Sequence, residues 1–502
     1  MGSPDPAHSG GPLCQSGSVI SLGLVNRSSP SPLHQQIAAG LRSAIVTGRV
    51  AGGETVPSTR SLAADLGVAR GTVVAAYETL LGEGYLLSRA GGGTVVAEVA
   101  HGGGGVVADG VPRERSTPGD GGSDGPGPTD TRDLRPGRPS TRGLPDASWR
   151  SAWRRAAAAP VPADVAPSSV LGTPHLREEI AAHLGRTRGM GVAPGDVIVT
   201  AGTSDALLLM FSAVPRRAGA RLRVGVEDPG YRRVPRILRR LGAEVVGIPV
   251  RSDTGLDLDA LEGQADLDAV VVTPQHHYPL GSRLSGPERA RLLAWAERSG
   301  AVVIEDDYDS EFPHGRAPLP PLHLIDPARV VLIGSLSKVL TPALRCGWLV
   351  ASGDIRDRLV AAREDLDLPV SVVQMDALAR YLATGALARH TARRRRDYRH
   401  RRALLLEAFA DVPEISLTAM DGGLHAVALL RWATPRDERE IVAELGERGI
   451  QVAGMSSYAV SPSSAHVPVG LVFGYAAPTT VELTAGVAEI IEVVRRRAQA
   501  RT

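Results

Sequence analysis

The sequence predicts an α/β protein whose large domain is built on a mostly parallel, seven-stranded sheet, with a small helical module ahead of it. Two observations predict the sheet. Seven short runs rich in β-branched residues fall between residues 197 and 350, and helical stretches separate them. The runs are continuous rather than alternating, as expected of strands covered by helices on both faces. A third observation divides the chain. Residues 99–133 are dominated by Gly, Pro, Ser, Asp and Thr, a composition that cannot bury enough apolar surface to fold and so predicts a flexible linker. The expected organisation is a module at 28–98, a linker at 99–133 and a large domain at 134–502.

Composition narrows the function classes. The chain has 502 residues, 43% hydrophobic and 22% charged, as in soluble globular proteins, with a formal net charge of +2. That charge advertises no global attraction to nucleic acid or anionic lipid. Cys14 and Cys346 cannot build a disulfide framework. No apolar run is long enough to span a bilayer, and residues 1–17 lack a secretory pattern. A cytoplasmic protein with no membrane association is expected. Of the 56 Lys and Arg residues, 55 are arginine and one, Lys338, is lysine. An amine can lose its proton and attack a carbonyl to form a Schiff base, which a guanidinium cannot do.

The elements follow in order. Residues 32–47 read as an amphipathic helix. A second helix is predicted within 57–67, with Ser58 as its N-cap and Gly67 as its stop. A short turn leads into a third helix at 70–81, which makes a helix-turn-helix. Residues 85–96, with three glycines at the centre, read as a hairpin wing.

In the large domain the chemically suggestive residues come after the strands, where open parallel sheets bind ligands. After Val197–Thr200 the turn Ala201-Gly202-Thr203-Ser204 opens a helix and offers N–H groups and hydroxyls to a phosphate. After the second run, Tyr231 could lie against an aromatic ring. After the fourth come His276 and His277, ligand-facing rather than a metal pair, since no acidic or Cys partner has suitable spacing. After the fifth comes Glu305-Asp306-Asp307-Tyr308-Asp309, buried carboxylates that call for a cation. After the sixth comes Ser335-Leu336-Ser337-Lys338, with Arg345 placed to clamp a phosphate. A lysine amine, an acid for a pyridinium nitrogen, an aromatic stacker and a phosphate cradle are a protein's contribution to pyridoxal 5'-phosphate chemistry.

With Ile304–Phe312, Ser337-Lys338 and Arg345, the large domain resembles the aminotransferase-like (fold type I) domain of the MocR/GabR-type transcription regulators. The resemblance implies that Lys338 holds pyridoxal phosphate as a Schiff base. Asp306 would pair with the ring nitrogen, Tyr308 would bond the ring hydroxyl and Tyr231 would stack on the ring. Gly202, Thr203, Ser204, Ser335, Ser337 and Arg345 would take the phosphate, and His276 or His277 would approach the ring hydroxyl. One departure matters. Where aminotransferases hold the substrate carboxylate with an arginine, the best alignment places Val472, so ordinary amino-acid transamination is not expected.

Pro57-Ser-Thr-Arg60, Arg70, Thr72-Val73, Tyr77 and Gly93-Thr-Val95 resemble the GntR-type winged helix. The resemblance implies that Arg60, Arg70, Thr72 and Arg89 face DNA. Between residues 34 and 98 five arginines meet five acids, so charge alone adds little. Ala69 stands where that family often has a capping Ser. The Arg-rich run from Arg393 to Arg402 reads as a solvated or interface helix face. Together the resemblances imply a homodimeric regulator of operator DNA that senses pyridoxal phosphate or its adduct with an amine or amino acid. The alternative is a working aminotransferase.

Overall fold

The computed structural model describes residues 25, 27, 32–46, 49–51, 53–82, 86–89, 93–96, 132–160, 170–215, 220–315, 318–367, 369–461, 464 and 466–501. They belong to two compact units. In the first unit three helices, Leu33–Val46, Thr59–Leu66 and Arg70–Gly82, pack around Ile37, Leu41, Leu62, Val73, Tyr77 and Leu80. Ser58 caps the second helix by accepting the Ser61 N–H at 3.1 Å, and Gly67 closes it in the left-handed conformation. The Tyr77 hydroxyl donates to the Pro57 carbonyl at 2.7 Å, which ties the third helix to the entry of the second. Strands Leu86–Arg89 and Gly93–Val96 pair antiparallel and form the wing. Val25 packs on this core and Arg27 donates to the Gly67 carbonyl at 2.7 Å, so the unit reaches back past residue 28.

All seven anticipated runs are strands of one sheet. Their spatial order is Val197–Thr200, Gly347–Val350, Val330–Ser335, Val302–Asp307, Ala269–Val272, Arg223–Asp228 and Glu244–Arg251. An eighth strand of two residues, Gly255–Leu256, adds antiparallel at the edge. It is too short to leave a hydrophobic run in the sequence. Gly347–Val350 is antiparallel to both neighbours, and the strands from Val330–Ser335 to Glu244–Arg251 pair in parallel.

Both faces of this sheet are dry. Side chains alternate across a strand, so Val197, Val199, Trp348 and Val350 enter one apolar cluster while Ile198 and Leu349 enter another. The first cluster includes residues of helices Pro174–Arg188 and Val372–Ala383, the second residues of Thr203–Ala213 and Gly353–Leu366. The packing is close at Gly334, where an added Cβ would lie 2.7 Å from Trp348 Cζ2 and closer still to the indole nitrogen. Gly334→Ala is therefore expected to cost about 1–3 kcal/mol. It should lower the thermal midpoint followed by circular dichroism; an unchanged midpoint would mean that the indole can move aside.

A second, antiparallel sheet of Ser416–Thr418, His425–Leu429, Gly470–Gly474 and Ala453–Gly454 completes the large unit. Arg132–Asp133 pair in parallel with Ile450–Gln451, so two residues read as linker belong to this unit. The rest of the linker, residues 99–131, lies outside the described residues. No described helix is long and apolar enough to cross a membrane.

Candidate functional site

The carboxyl ends of the central strands bring the chemically suggestive residues together. Lys338 lies in the turn after Val330–Ser335, and its Nζ donates to the Gly137 carbonyl at 2.6 Å. Burial lowers the pKa of this amine, and the carboxylates of Asp309 and Asp306 pull it back up. Gly137 has φ +80°, and a Cβ there would stand 2.9 Å from Nζ, so the strap over the lysine must be glycine at this point. The strap is held on both sides of Gly137. Gly474 donates to the Leu134 carbonyl at 2.7 Å, and Ser140 donates to the Tyr398 hydroxyl at 2.9 Å.

Three consecutive acids end the neighbouring strand, and alternation separates their roles. Asp307 pairs with Arg188 at 3.0 Å, and Glu305 accepts the His323 N–H at 3.1 Å. Asp306, between them, points to the other face. It is buried, and no side-chain hydrogen bond among the described residues satisfies it. Burial, helped by the charge of Asp307, pushes its pKa up to about 7. A cation placed against it would relieve that cost.

His276 and His277 go to different places. The His276 Nδ1–H donates to Asp309 Oδ2 at 2.8 Å, and the same nitrogen lies 3.0 Å from the Tyr308 hydroxyl. His277 donates from Nε2 to the Pro229 carbonyl at 3.1 Å and accepts the Leu280 N–H at its other nitrogen at 3.3 Å. Burial pushes its pKa down to about 3, so it is a neutral structural histidine. The histidine beside Tyr308 is His276.

Aromatic rings line one side. Tyr231 meets Tyr278 edge-on at 6.3 Å, and Tyr278 meets Tyr308 edge-on at 5.8 Å. The Tyr278 and Tyr458 hydroxyls are 3.1 Å apart, and Arg232 lies 5.3 Å from the Tyr458 ring centre. Tyr458 carries no motif, and only the fold places it here. Glu227, at the base of this group, accepts from the Thr273 N–H and hydroxyl at 2.8 and 2.6 Å and is pushed up to about 8 by burial.

The phosphate candidates follow two strands of the large sheet, Val197–Thr200 and Val330–Ser335. Gly202 precedes helix Thr203–Ala213, whose first residues, Thr203 and Ser204, are half-buried and which has no side-chain cap. A Cβ on Gly202 would lie 3.9 Å from Arg345 Nη1. Arg345 is exposed. Ser335 accepts the Ser337 N–H at 3.0 Å, and Ser337 is half-buried. The candidates together offer an open helix N-terminus, hydroxyls and a guanidinium, which suits a phosphate. With the half-buried amine and Asp306, which no side-chain hydrogen bond among the described residues satisfies, the set fits a phosphorylated aromatic aldehyde with a basic ring nitrogen. Val472 is fully buried in strand Gly470–Gly474 and belongs to an apolar cluster with Val427 and Leu429.

In the small unit Arg60 and Arg70 are exposed at the starts of the second and third helices, and Thr72 is half-buried within the first turn of the third. Arg89 ends the first wing strand; its side chain lies outside the described residues. The Arg-rich helix Ala386–Ala408, expected as a solvated or interface face, exposes Arg396 and Arg399 and turns other arginines into the fold. Arg394 donates to Ser140 Oγ at 3.0 Å, while Arg395, Arg401 and Arg402 donate to the carbonyls of Glu311, Ala476 and Met420. The last three satisfy the fold's own carbonyls.

Two family models match. Residues 148–471 match aminotransferase class I and II, and residues 33–96 match the gntR family of bacterial regulatory proteins. The chain is 39% identical to the HTH-type pyridoxine biosynthesis transcriptional regulator PdxR of Corynebacterium glutamicum, across 94% of this chain and 98% of that protein. It is 31% identical to the probable rhizopine catabolism regulatory protein MocR of Rhizobium meliloti, across 90% and 92%. Among solved structures, an archaeal alanine:glyoxylate aminotransferase superposes with a TM-score of 0.66 at 22% identity, over 74% of this chain and 92% of that one. The α-aminoadipate aminotransferase LysN of Thermus thermophilus gives 0.65 at 24%, over 74% and 94%.

Proposed function

The chain belongs to the MocR/GabR-type transcription regulators, which join a GntR-type DNA-binding domain to an aminotransferase-like domain, and from that premise we propose that it senses pyridoxal 5'-phosphate at Lys338 and changes its hold on operator DNA in response. The observation that carries the reading is the sole lysine, half-buried and within electrostatic reach of Asp306 at the carboxyl ends of the sheet. Pyridoxal phosphate, when bound, supplies an aldehyde that reacts with a primary amine. Lys338 offers that amine, and its depressed pKa keeps more of it unprotonated than a surface lysine would be. Asp306 holds a carboxylate for the ring nitrogen. Tyr308 presents its oxygen to the ring hydroxyl, and Tyr231 offers a face for stacking. Gly202, Thr203, Ser204, Ser335, Ser337 and Arg345 cradle the phosphate.

Val472 supports a sensor over a working aminotransferase, because a buried valine cannot hold a substrate carboxylate. It also favours the cofactor itself as effector over an amino acid. The partner is operator DNA, read by the helix Arg70–Gly82 in a major groove and by Arg60 and Arg89 beside it. A homodimer would present two such modules to two half-sites.

The test is a gel shift with the DNA upstream of the protein's own gene, titrating pyridoxal phosphate at fixed salt. A specific complex strengthened or weakened by the cofactor is expected. A specific complex indifferent to it would move the sensed ligand to an amine or amino acid. Steady transamination without specific binding would overturn the regulator in favour of the enzyme.

A further inference from the structure

The turn that opens the helix Thr203–Ala213 carries an acid that no role given so far uses. Asp205 lies in the first turn of that helix, within two residues of Thr203 and Ser204. Its Oδ2 folds back to accept the Ala201 N–H at 2.9 Å, and its own N–H donates to the Gly202 carbonyl at 3.0 Å. The carboxylate therefore helps to shape the turn. It also brings a negative charge to the end of the helix that is to receive a phosphate. The N–H groups of a helix's first turn have no partner inside the helix, so acid and phosphate compete for the same positive end.

A buried cation meets that acid. Arg363 comes from the helix Gly353–Leu366 and is 1% exposed. Its Nη2 donates to Asp205 Oδ2 at 2.8 Å, and its Nη1 donates to the Asp367 carbonyl at 3.0 Å. Its Nε is buried without an acceptor among the described residues, so the group is costly to keep here. Leu359 of the same helix joins Ala206, Leu207 and Met210 of Thr203–Ala213 in one apolar cluster, and this packing holds the pair in place. Arg345, by contrast, is exposed and open to a ligand.

We infer that Arg363 is a positioning residue for the phosphate of pyridoxal 5'-phosphate: it cancels the charge of Asp205, so that the acid shapes the turn without repelling the ligand. The inference rests on the reading that Gly202, Thr203 and Ser204 take the phosphate. A phosphate carries about −1.5 to −2 charge at neutral pH, so an uncompensated acid on the same turn acts on it strongly. The same acid hardly acts on an aldehyde that lacks the phosphate. Charge cancellation is thereby separable from a general bracing of the fold.

The test compares two probes on the full-length protein, pyridoxal 5'-phosphate and pyridoxal, which differ only in the phosphate. Titration followed by visible absorbance gives an affinity for each, and their ratio reads the contribution of the phosphate. Arg363→Met leaves Asp205 uncompensated and is expected to lower the ratio by about tenfold or more. Arg363→Met combined with Asp205→Asn removes both charges and is expected to bring the ratio back near its wild-type value. A pair that only braces the fold behaves otherwise: both aldehydes weaken together, and the second substitution restores nothing. Either of those results, or an unchanged ratio in Arg363→Met, would overturn the inference. If Arg363→Met does not fold by circular dichroism, Asp205→Asn decides: a ratio above wild type supports the inference, and one equal to it or below overturns it. A wild-type protein that binds the two aldehydes equally overturns the placement of the phosphate at this turn, and this inference with it.

Discussion

Lys338→Ala is expected to abolish every borohydride-stable attachment of pyridoxal phosphate to a side chain of this protein, while leaving the fold in place. The sequence makes this unusually clean. Lys338 is the only lysine among 502 residues, so no neighbouring side-chain amine can take over. The geometry adds a reason for a large effect. The lysine is half-buried, within the influence of Asp309 and Asp306, and no side-chain hydrogen bond among the described residues satisfies Asp306. A ring nitrogen brought against Asp306 and an aldehyde brought to Nζ are two requirements met at one place. The fold should survive because the truncated group is itself costly to bury, and the lost bond to the Gly137 carbonyl is a single one. Lys338→Arg is the sharper control, since it keeps a cation under the strap but cannot form the linkage. Reduction with borohydride followed by peptide mass spectrometry reads the result. A label on another side chain would refute the assignment, and a wild-type protein that takes no label would refute covalent attachment altogether.

Much of the large domain is legible in the order of its amino acids. Each of the seven runs is a strand because its apolar residues are contiguous, and contiguity is what a sheet buried on both faces leaves in a sequence. The residues after those strands converge because the parallel strands end on one side. Sequence is silent where contacts span long separations. Gly137 and Lys338 are 201 residues apart, and the Tyr278–Tyr458 hydroxyl pair spans 180. Neither contact has a local period or a motif. The choice between His276 and His277 is equally closed to sequence, since it depends on where Asp309 and the Pro229 carbonyl lie. The Arg-rich helix is only partly legible. A run of charges reads as a solvated or interface face, as the exposed Arg396 and Arg399 allow, but the carbonyls that its other arginines satisfy, at Glu311, Met420 and Ala476, are invisible in the sequence.

The second large effect is expected at the other end of the chain. Arg70→Ala should weaken specific operator binding by about 5- to 100-fold, the range for one good base contact. Arg70 is the first residue of the helix Arg70–Gly82, and the leading residues of such a helix meet the base edges. Its side chain is exposed, and its hydrogen bond to Thr59 Oγ1, at 3.5 Å, is long enough to give way to DNA. The near balance of arginines and acids in this module raises the weight on each contact, because no broad positive field can substitute for it. Stability should hardly move, since the residue contributes nothing to the core around Val73 and Tyr77. The salt dependence distinguishes two kinds of contact. If Arg70 meets a base, affinity falls for the operator and little for unrelated DNA, and the slope with salt is kept. If it meets a phosphate, both affinities fall together and the slope drops by about one. Unchanged affinity for both DNAs at moderate salt would remove Arg70 from the interface and leave recognition to Arg60, Thr72 and the wing.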